Sequence, residues 1–256
     1  MIKEEIKFQD SCVFEGMTSI RALISAYDSN FNDRRIKEIY FDKDRINKIA
    51  KEVGYFKAVC EKYGFKLIES TADEIDNLTL GTSHGGIVAI TTDRTIPPLS
   101  STVEIKENGF YCMIQGIEDP YNFGYSLRSL FACGCDGIIL PERNWMSAAG
   151  VVARSSAGAS ERFPIFRADP VESADFFKAL GYTVVCADEN TDNILGKCEL
   201  KKPILLIVGG EKRGISRALI EKADKLVKID YAREFKASLS AASATTMFAY
   251  EIMRQN

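Results

Sequence analysis

From residue 110 to the end of the chain, short apolar runs alternate with segments of helical period. The runs lie at 110–114, 137–140, 183–187, 204–208 and 226–229, and the helical segments at 122–133, 171–180, 216–222 and 238–253. Nearly continuous apolar strands between helices predict an α/β fold whose parallel sheet is covered on both faces. Ligands in such sheets sit outside the carboxyl ends of the strands, so chemistry is expected in the βα loops. The first ninety or so residues alternate as well. A helix is expected over 18–28 with Thr18 as its cap, a strand over 36–41, and a long helix over 45–63 that stops at Gly64. A strand over 65–68, a helix entered through Ser70 or Thr71, and a strand over 87–90 follow. Between these halves, 91–108 carries Pro97-Pro98 and Ser100-Ser101-Thr102 without sustained period, and reads as a linker.

Composition removes several classes. Of 256 residues, 46% are hydrophobic and 27% charged, which suits a folded soluble protein and excludes disorder for most of the length. No apolar run approaches the roughly 20 residues of a membrane-spanning helix. The mixed Lys and Glu of residues 1–10 do not read as a secretory signal. Lys and Arg number 33 against 36 Asp and Glu, so no basic surplus marks tight, non-specific polyanion binding, although a local basic groove is still compatible. The seven cysteines are odd in number and lack C-x-x-C spacing, which fits small buried thiols in a reducing cytoplasm. The single histidine, His84, excludes any mechanism or metal site that needs two.

Three loops carry candidate chemistry. The first follows the strand at 110–114 and runs from Gly116 to Arg128, with Asn122 as the expected helix cap and Gly124 in the first turn. Arg128 stands four residues beyond Gly124 on the same face; a solvated arginine on a capped helix is the plain alternative. The second, after the strand at 204–208, reads Gly209-Gly210-Glu211-Lys212-Arg213-Gly214. A strand, a glycine-rich turn and a helix form a generic phosphate or nucleotide cradle. Ile215 stands where a P-loop needs lysine and Glu211 where a dinucleotide fingerprint needs glycine, so both of those readings fail. The third, Lys236 to Thr246, fills the first turns of the last helix with small residues.

Together these segments resemble the SpoU (TrmH-type) branch of the SPOUT methyltransferases. The family's first motif is matched by Asn122, Gly124 and Arg128, its second by Gly209, Glu211 and Gly214, and its third by Ser238 and Leu239. Ala157-Gly158-Ala159, Gly16 to Ile20 and His84 to Ile87 extend the likeness over almost the whole chain. One position departs: Ser240 stands where the family has asparagine.

The resemblance implies transfer of a methyl group from S-adenosylmethionine to a ribose 2′-hydroxyl of ribosomal or transfer RNA. It implies a small α/β RNA-binding domain over 1–92, a linker over 93–108 and a parallel-sheet domain with a trefoil knot over 109–256. By the same resemblance Asn122, Arg128, Glu211 and Ser238 serve catalysis, while Gly209, Gly214, Ile229 and Leu239 hold the cofactor. The family is normally homodimeric and needs neither metal nor membrane, and a cytoplasmic location is expected. Arg34, Arg35, Lys37, Lys43 and Arg45 are candidates for an RNA surface, and His84 for an RNA contact or a turn. Ser240 motivates an alternative, a knotted RNA-binding protein that has lost or weakened methyl transfer. A nucleotide-dependent oxidoreductase is a third reading that the glycine pattern opposes.

Overall fold

The amino-terminal part of the chain builds a mixed sheet. In the computed structural model, which describes residues 12–79, 84–100, 102–141, 148–210, 213–235 and 237–256, it opens with strand β1 (Val13–Glu15) and helix α1 (Gly16–Ser25). Strand β2 (Ile36–Asp42), helix α2 (Ala50–Tyr63), strand β3 (Lys66–Ser70), helix α3 (Ala72–Leu78) and strand β4 (Ile87–Thr91) follow. The sheet order is β1-β4-β2-β3; β4 runs antiparallel to both neighbours and β2 pairs with β3 in parallel. Local chemistry sets the helix ends. Gly64 takes the left-handed conformation (φ +74°) that ends α2. Thr71 and Glu74 make a reciprocal capping box on α3. The expected cap at Thr18 is not used, because α1 begins two residues earlier, at Gly16.

The chain divides into two compact units, and the first takes Met1–Thr95 together with Asn144–Arg162. The returning segment holds helix α5 (Ala149–Ser155), whose Ala149 and Ala153 join the core of Phe14, Ile20, Ile39 and Phe56. Neither α5 nor β1 is expected from sequence pattern, both being too short to show a period. Gly158 (φ +82°) lies against Ala22 so closely that a Cβ there would overlap it. Glu161 is buried and ion-paired with buried Arg34 at 3.3 Å. Arg34 is therefore a structural residue and not part of an RNA-facing surface, whereas Arg35, Lys37, Lys43 and Arg45 are exposed.

The second unit, Ile96–Arg143 and Phe163–Asn256, contains six strands among its described residues. In chain order they are β5 (Phe110–Gln115), β6 (Gly137–Leu140), β7 (Ile165–Arg167), β8 (Thr183–Ala187), β9 (Ile204–Gly209) and β10 (Lys225–Val227). They lie in the order β10-β8-β9-β5-β6-β7 and every pairing is parallel. The expected parallel sheet is present, and β7 is an added strand of only three residues. Ile204 to Ile207 are fully buried, as a central strand covered on both faces requires. Burying each such side chain stabilises by about 1.5–3 kcal/mol.

Among the described residues, four α-helices belong to this unit: α4 (Pro120–Ala132), α6 (Pro170–Ala179), α7 (Arg217–Ile220) and α8 (Ala241–Gln255). The cap of α4 is Asp119, whose carboxylate accepts from the backbone N–H groups of Tyr121 and Asn122, with Pro120 as the first helical residue. Asn122 thus sits inside the first turn and is not the cap. Helix α8 starts at Ala241, capped by Ser240, so Ser238 and Leu239 lie in the loop before it. The stretch after Thr95 is pinned rather than free: Leu99 N–H donates to the Arg167 carbonyl at 2.9 Å, and Arg167 N–H to that of Pro97 at 3.0 Å.

Candidate functional site

The parallel order sets the carboxyl ends of β8, β9 and β10 side by side. Among the loops leaving them lies a pocket of about 700 Å³, a volume within the usual range for small-molecule sites. One wall follows β9: Gly209, Gly210, Gly214 and Ile215. A second follows β8, with Asp188, Glu189 and Asn190, and a third follows β10, with Lys228, Ile229, Tyr231 and Phe235. The last helix and its entry close the site with Ser238, Leu239, Ala241, Ala244 and Phe248.

The glycines of the β9 loop serve close backbone approach. A Cβ on Gly209 would stand 2.5 Å from the Gly214 carbonyl carbon, and one on Gly210 would overlap the backbone of Gly116. Gly214 N–H donates to the Gly210 carbonyl at 3.0 Å, and Gly214 itself has φ +59°. The space that excludes a side chain here is filled by the protein's own backbone. Gly209→Val would consequently distort the loop before any ligand arrived, so it is not a clean probe of binding.

A residue absent from the sequence expectations braces this loop. Gln115, the last residue of β5, accepts from Ser216 N–H at 2.9 Å through its side-chain oxygen. Its amide nitrogen donates to Ser216 Oγ at 3.4 Å. The strand alternation of the sequence exposes Gln115 only as a polar strand end, so no sequence signal marked it. The β8 loop was missed for the same reason. Asp188 accepts from the Asn190 backbone N–H at 2.8 Å, and Asp188 N–H bonds the Val227 carbonyl, tying the β8 and β10 ends together. Beneath this loop, burial pushes the Cys186 thiol up to about 12, so it is held neutral.

Of the site residues expected from sequence, the pocket brings together Gly209, Gly214, Ile229, Ser238 and Leu239. Asn122 and Arg128 are not among its lining. Both lie on α4, behind the β5 loop whose Gly116 approaches Gly210; Asn122 is half-buried and Arg128 exposed. Arg128 has no ion pair among the described residues, which leaves its guanidinium facing solvent. Glu211, with Lys212, lies outside the described residues. His84 is resolved as a turn residue. It is buried, its Nδ1 accepts from Gly86 N–H at 3.1 Å, and its Nε2 faces Asp76 Oδ1 at 2.7 Å. With Nδ1 as acceptor, the ring proton of neutral His84 sits on Nε2 and is donated to Asp76.

Known proteins share this fold. The model of the SpoU rRNA methylase family matches residues 109–250, and the chain belongs to that family. It is thus an RNA methyltransferase in class. YacO of Bacillus subtilis (strain 168), assigned to the TrmH family of tRNA/rRNA methyltransferases, is 26% identical over 229 residues, which cover 88% of this chain and 90% of YacO. The fold is similar to a crystal structure of an RNA 2′-O ribose methyltransferase, with TM-score 0.80 and 20% identity over 99% of this chain and 95% of that one. It is also similar to the SpoU methyltransferase AviRb from Streptomyces viridochromogenes, solved with AdoMet. There the TM-score is 0.75, with 24% identity over 95% of this chain and 89% of AviRb.

Proposed function

We propose that this protein transfers a methyl group from S-adenosylmethionine to the 2′-hydroxyl of a ribose in ribosomal or transfer RNA. The observation that carries the reading is the pocket at the carboxyl ends of β8, β9 and β10, which gathers residues of the family's second and third motifs. Its residues suit that cofactor. Ile215, Val227, Ile229, Leu239 and Phe248 would offer an apolar wall for adenine, and Asp188 and Glu189 give the lining negative charge that suits a cationic cofactor. When bound, S-adenosylmethionine supplies a methyl group made electrophilic by its sulfonium. Arg128 would clamp an RNA phosphate and stabilise the oxygen as its proton leaves, with Asn122 and Ser238 orienting the ribose. A guanidinium stays charged in proteins, so Arg128 is a poor proton acceptor and a good electrostatic one. Holding acceptor and donor in line can by itself lower the barrier by about 7–11 kcal/mol.

Two structural features of the family are part of this reading. The trefoil knot is supported by the path of the chain. It leaves edge strand β10, and α8 then packs on central β9 and on α4. The end of α8 is held against the segment before β9: Leu200 N–H donates to Gln255 Oε1 at 2.8 Å and Lys202 N–H to Asn256 Oδ1 at 3.0 Å. A homodimer is supported by Tyr121 and Tyr125 on α4 and Met247, Tyr250 and Met253 on α8. These side chains are 42–54% exposed on two helices that pack together. Ser240 gives no support to a loss of catalysis, since serine caps α8 as asparagine would.

The test is incubation with tritiated S-adenosylmethionine and total RNA from cells deleted for the gene, followed by alkaline hydrolysis. Label in alkali-stable dinucleotides is expected, because a 2′-O-methyl blocks cleavage. Label in mononucleotides alone would assign the methyl to a base, and cofactor binding without label would favour the binding-only protein.

A further inference from the structure

The pocket carries a pair of exposed aromatic rings. Tyr231 and Phe235 both line the pocket, yet they are 39% and 55% exposed. Their rings meet edge to face, with centroids 5.8 Å apart at 71°. Tyr231 is strapped in place, its Oη accepting from Leu239 N–H at 3.3 Å, while Phe235 presents more than half of its surface to water. Phe248, the other aromatic ring of the lining, is buried, so the exposed Tyr231 and Phe235 form the outer edge of the site. Exposed aromatic rings at such an edge are costly to leave in water and are stacking surfaces for unpaired bases.

We propose that Phe235, supported by Tyr231, stacks on an unpaired base of the RNA substrate at the mouth of the methyl-transfer site. The inference rests on the proposed function, and names the part of the RNA that this chain grips there. The same loop carries Lys228, Arg233 and Lys236 together with Asp230 and Glu234, so its charges nearly balance. Stacking adds affinity that these nearly balanced charges do not supply, and it is tolerant of base identity. Recognition of this kind requires the target nucleotide, or a neighbour of it, to lie in a loop, bulge or single strand, not in a continuous duplex.

The experiment compares wild type with Phe235→Ala, Phe235→Leu and Phe235→Trp, using total RNA from cells deleted for the gene and calorimetry with S-adenosylmethionine. Phe235→Ala and Phe235→Leu are expected to lower kcat/KM for RNA roughly ten-fold or more, in line with the loss of one base stack. Phe235→Trp is expected to restore it, S-adenosylmethionine affinity should stay within about two-fold, and the salt dependence of RNA binding should not change slope, since no phosphate contact is removed. Restoration by leucine would make Phe235 a mere apolar plug and overturn the proposal. Loss of cofactor affinity with unchanged KM for RNA would overturn it in favour of adenine as the stacked base. Wild-type protein that transfers no methyl to any RNA refutes the function itself. Active wild type with an indifferent Phe235→Ala refutes only the stacking. Unchanged melting temperatures of the three variants confirm that each is folded.

Discussion

Arg128 and Ser240 are the residues at which side-chain chemistry decides most. Arg128 is exposed on α4 and unpaired among the described residues, so its charge is available to an incoming RNA. Removing a group that stabilises developing charge typically costs about 10²–10³ in turnover. Arg128→Ala is expected to lose that much in a methyl-transfer assay, with S-adenosylmethionine affinity nearly unchanged by calorimetry. Arg128→Lys should recover only part, because a point charge lacks the planar fork. Wild-type turnover in Arg128→Ala would reduce the arginine to a solvated helix residue. Ser240 Oγ accepts from Ser243 N–H at 3.2 Å, which satisfies one of the free donors at the start of α8. Ser240→Ala is expected to cost about 1 kcal/mol, seen as a drop of about 2–4 °C in melting temperature, whereas Ser240→Asn should keep the cap and preserve or raise transfer.

At the scale of elements, the segment 148–162 shows how a polar network fastens a returning stretch of chain. Glu161 Oε2 accepts from Asn32 Nδ2 at 2.9 Å and from Arg34 Nε at 3.3 Å. Arg94, likewise buried, donates to the Ser160 carbonyl at 2.8 Å and the Phe31 carbonyl at 3.2 Å. Burial pushes the Arg94 guanidinium down from its ordinary value, and the nearby Glu161 carboxylate opposes that. Truncating one member of such a buried pair leaves the other charge uncompensated, at a cost of about 3–5 kcal/mol. Glu161→Ala is expected to lower the urea midpoint by that equivalent; a change under about 1 kcal/mol would show that water replaces the carboxylate. The sequence reading places 109–256 in a single domain, whereas contact groups Asn144–Arg162 with the first unit. Sequence proximity could not show this, because the partners of Glu161 and Arg154 lie more than a hundred residues away, at Asn32, Arg34 and Glu15.

For the whole molecule, the exposed aromatic and methionine side chains of α4 and α8 bear on assembly. Contiguous apolar patches on soluble proteins usually mark an interaction surface. If this face joins two copies, Tyr250→Asp should convert a dimer to a monomer in light scattering coupled to gel filtration. A wild-type protein that already runs as a monomer at micromolar concentration would refute the dimer. Tyr250 protrudes from α8 on the side away from buried Phe248, Ala249 and Ile252, so the substitution should leave the fold of the unit intact.

The alternation of buried runs and helical periods by itself determined the parallel sheet and most of its helices. A strand covered on both faces has no polar positions to offer, so 137–140 and 183–187 were legible to the residue. Turn chemistry was legible where a single residue type is required, as at Gly64 and Thr71. The glycine-rich loop after β9 was legible as a place of close approach, but not what approaches it. That is the backbone of Gly116 and Gly214, set by the pairing of β5 with β9. The same holds for Gln115 on Ser216, Arg34 on Glu161 and His84 on Asp76. Each is an ordinary polar residue along the chain, given its role by a partner that only folding brings within hydrogen-bond reach. Local propensity reads a few residues at a time, whereas the pocket is assembled from strand ends whose neighbours are fixed by sheet order, a long-range property that no local pattern encodes.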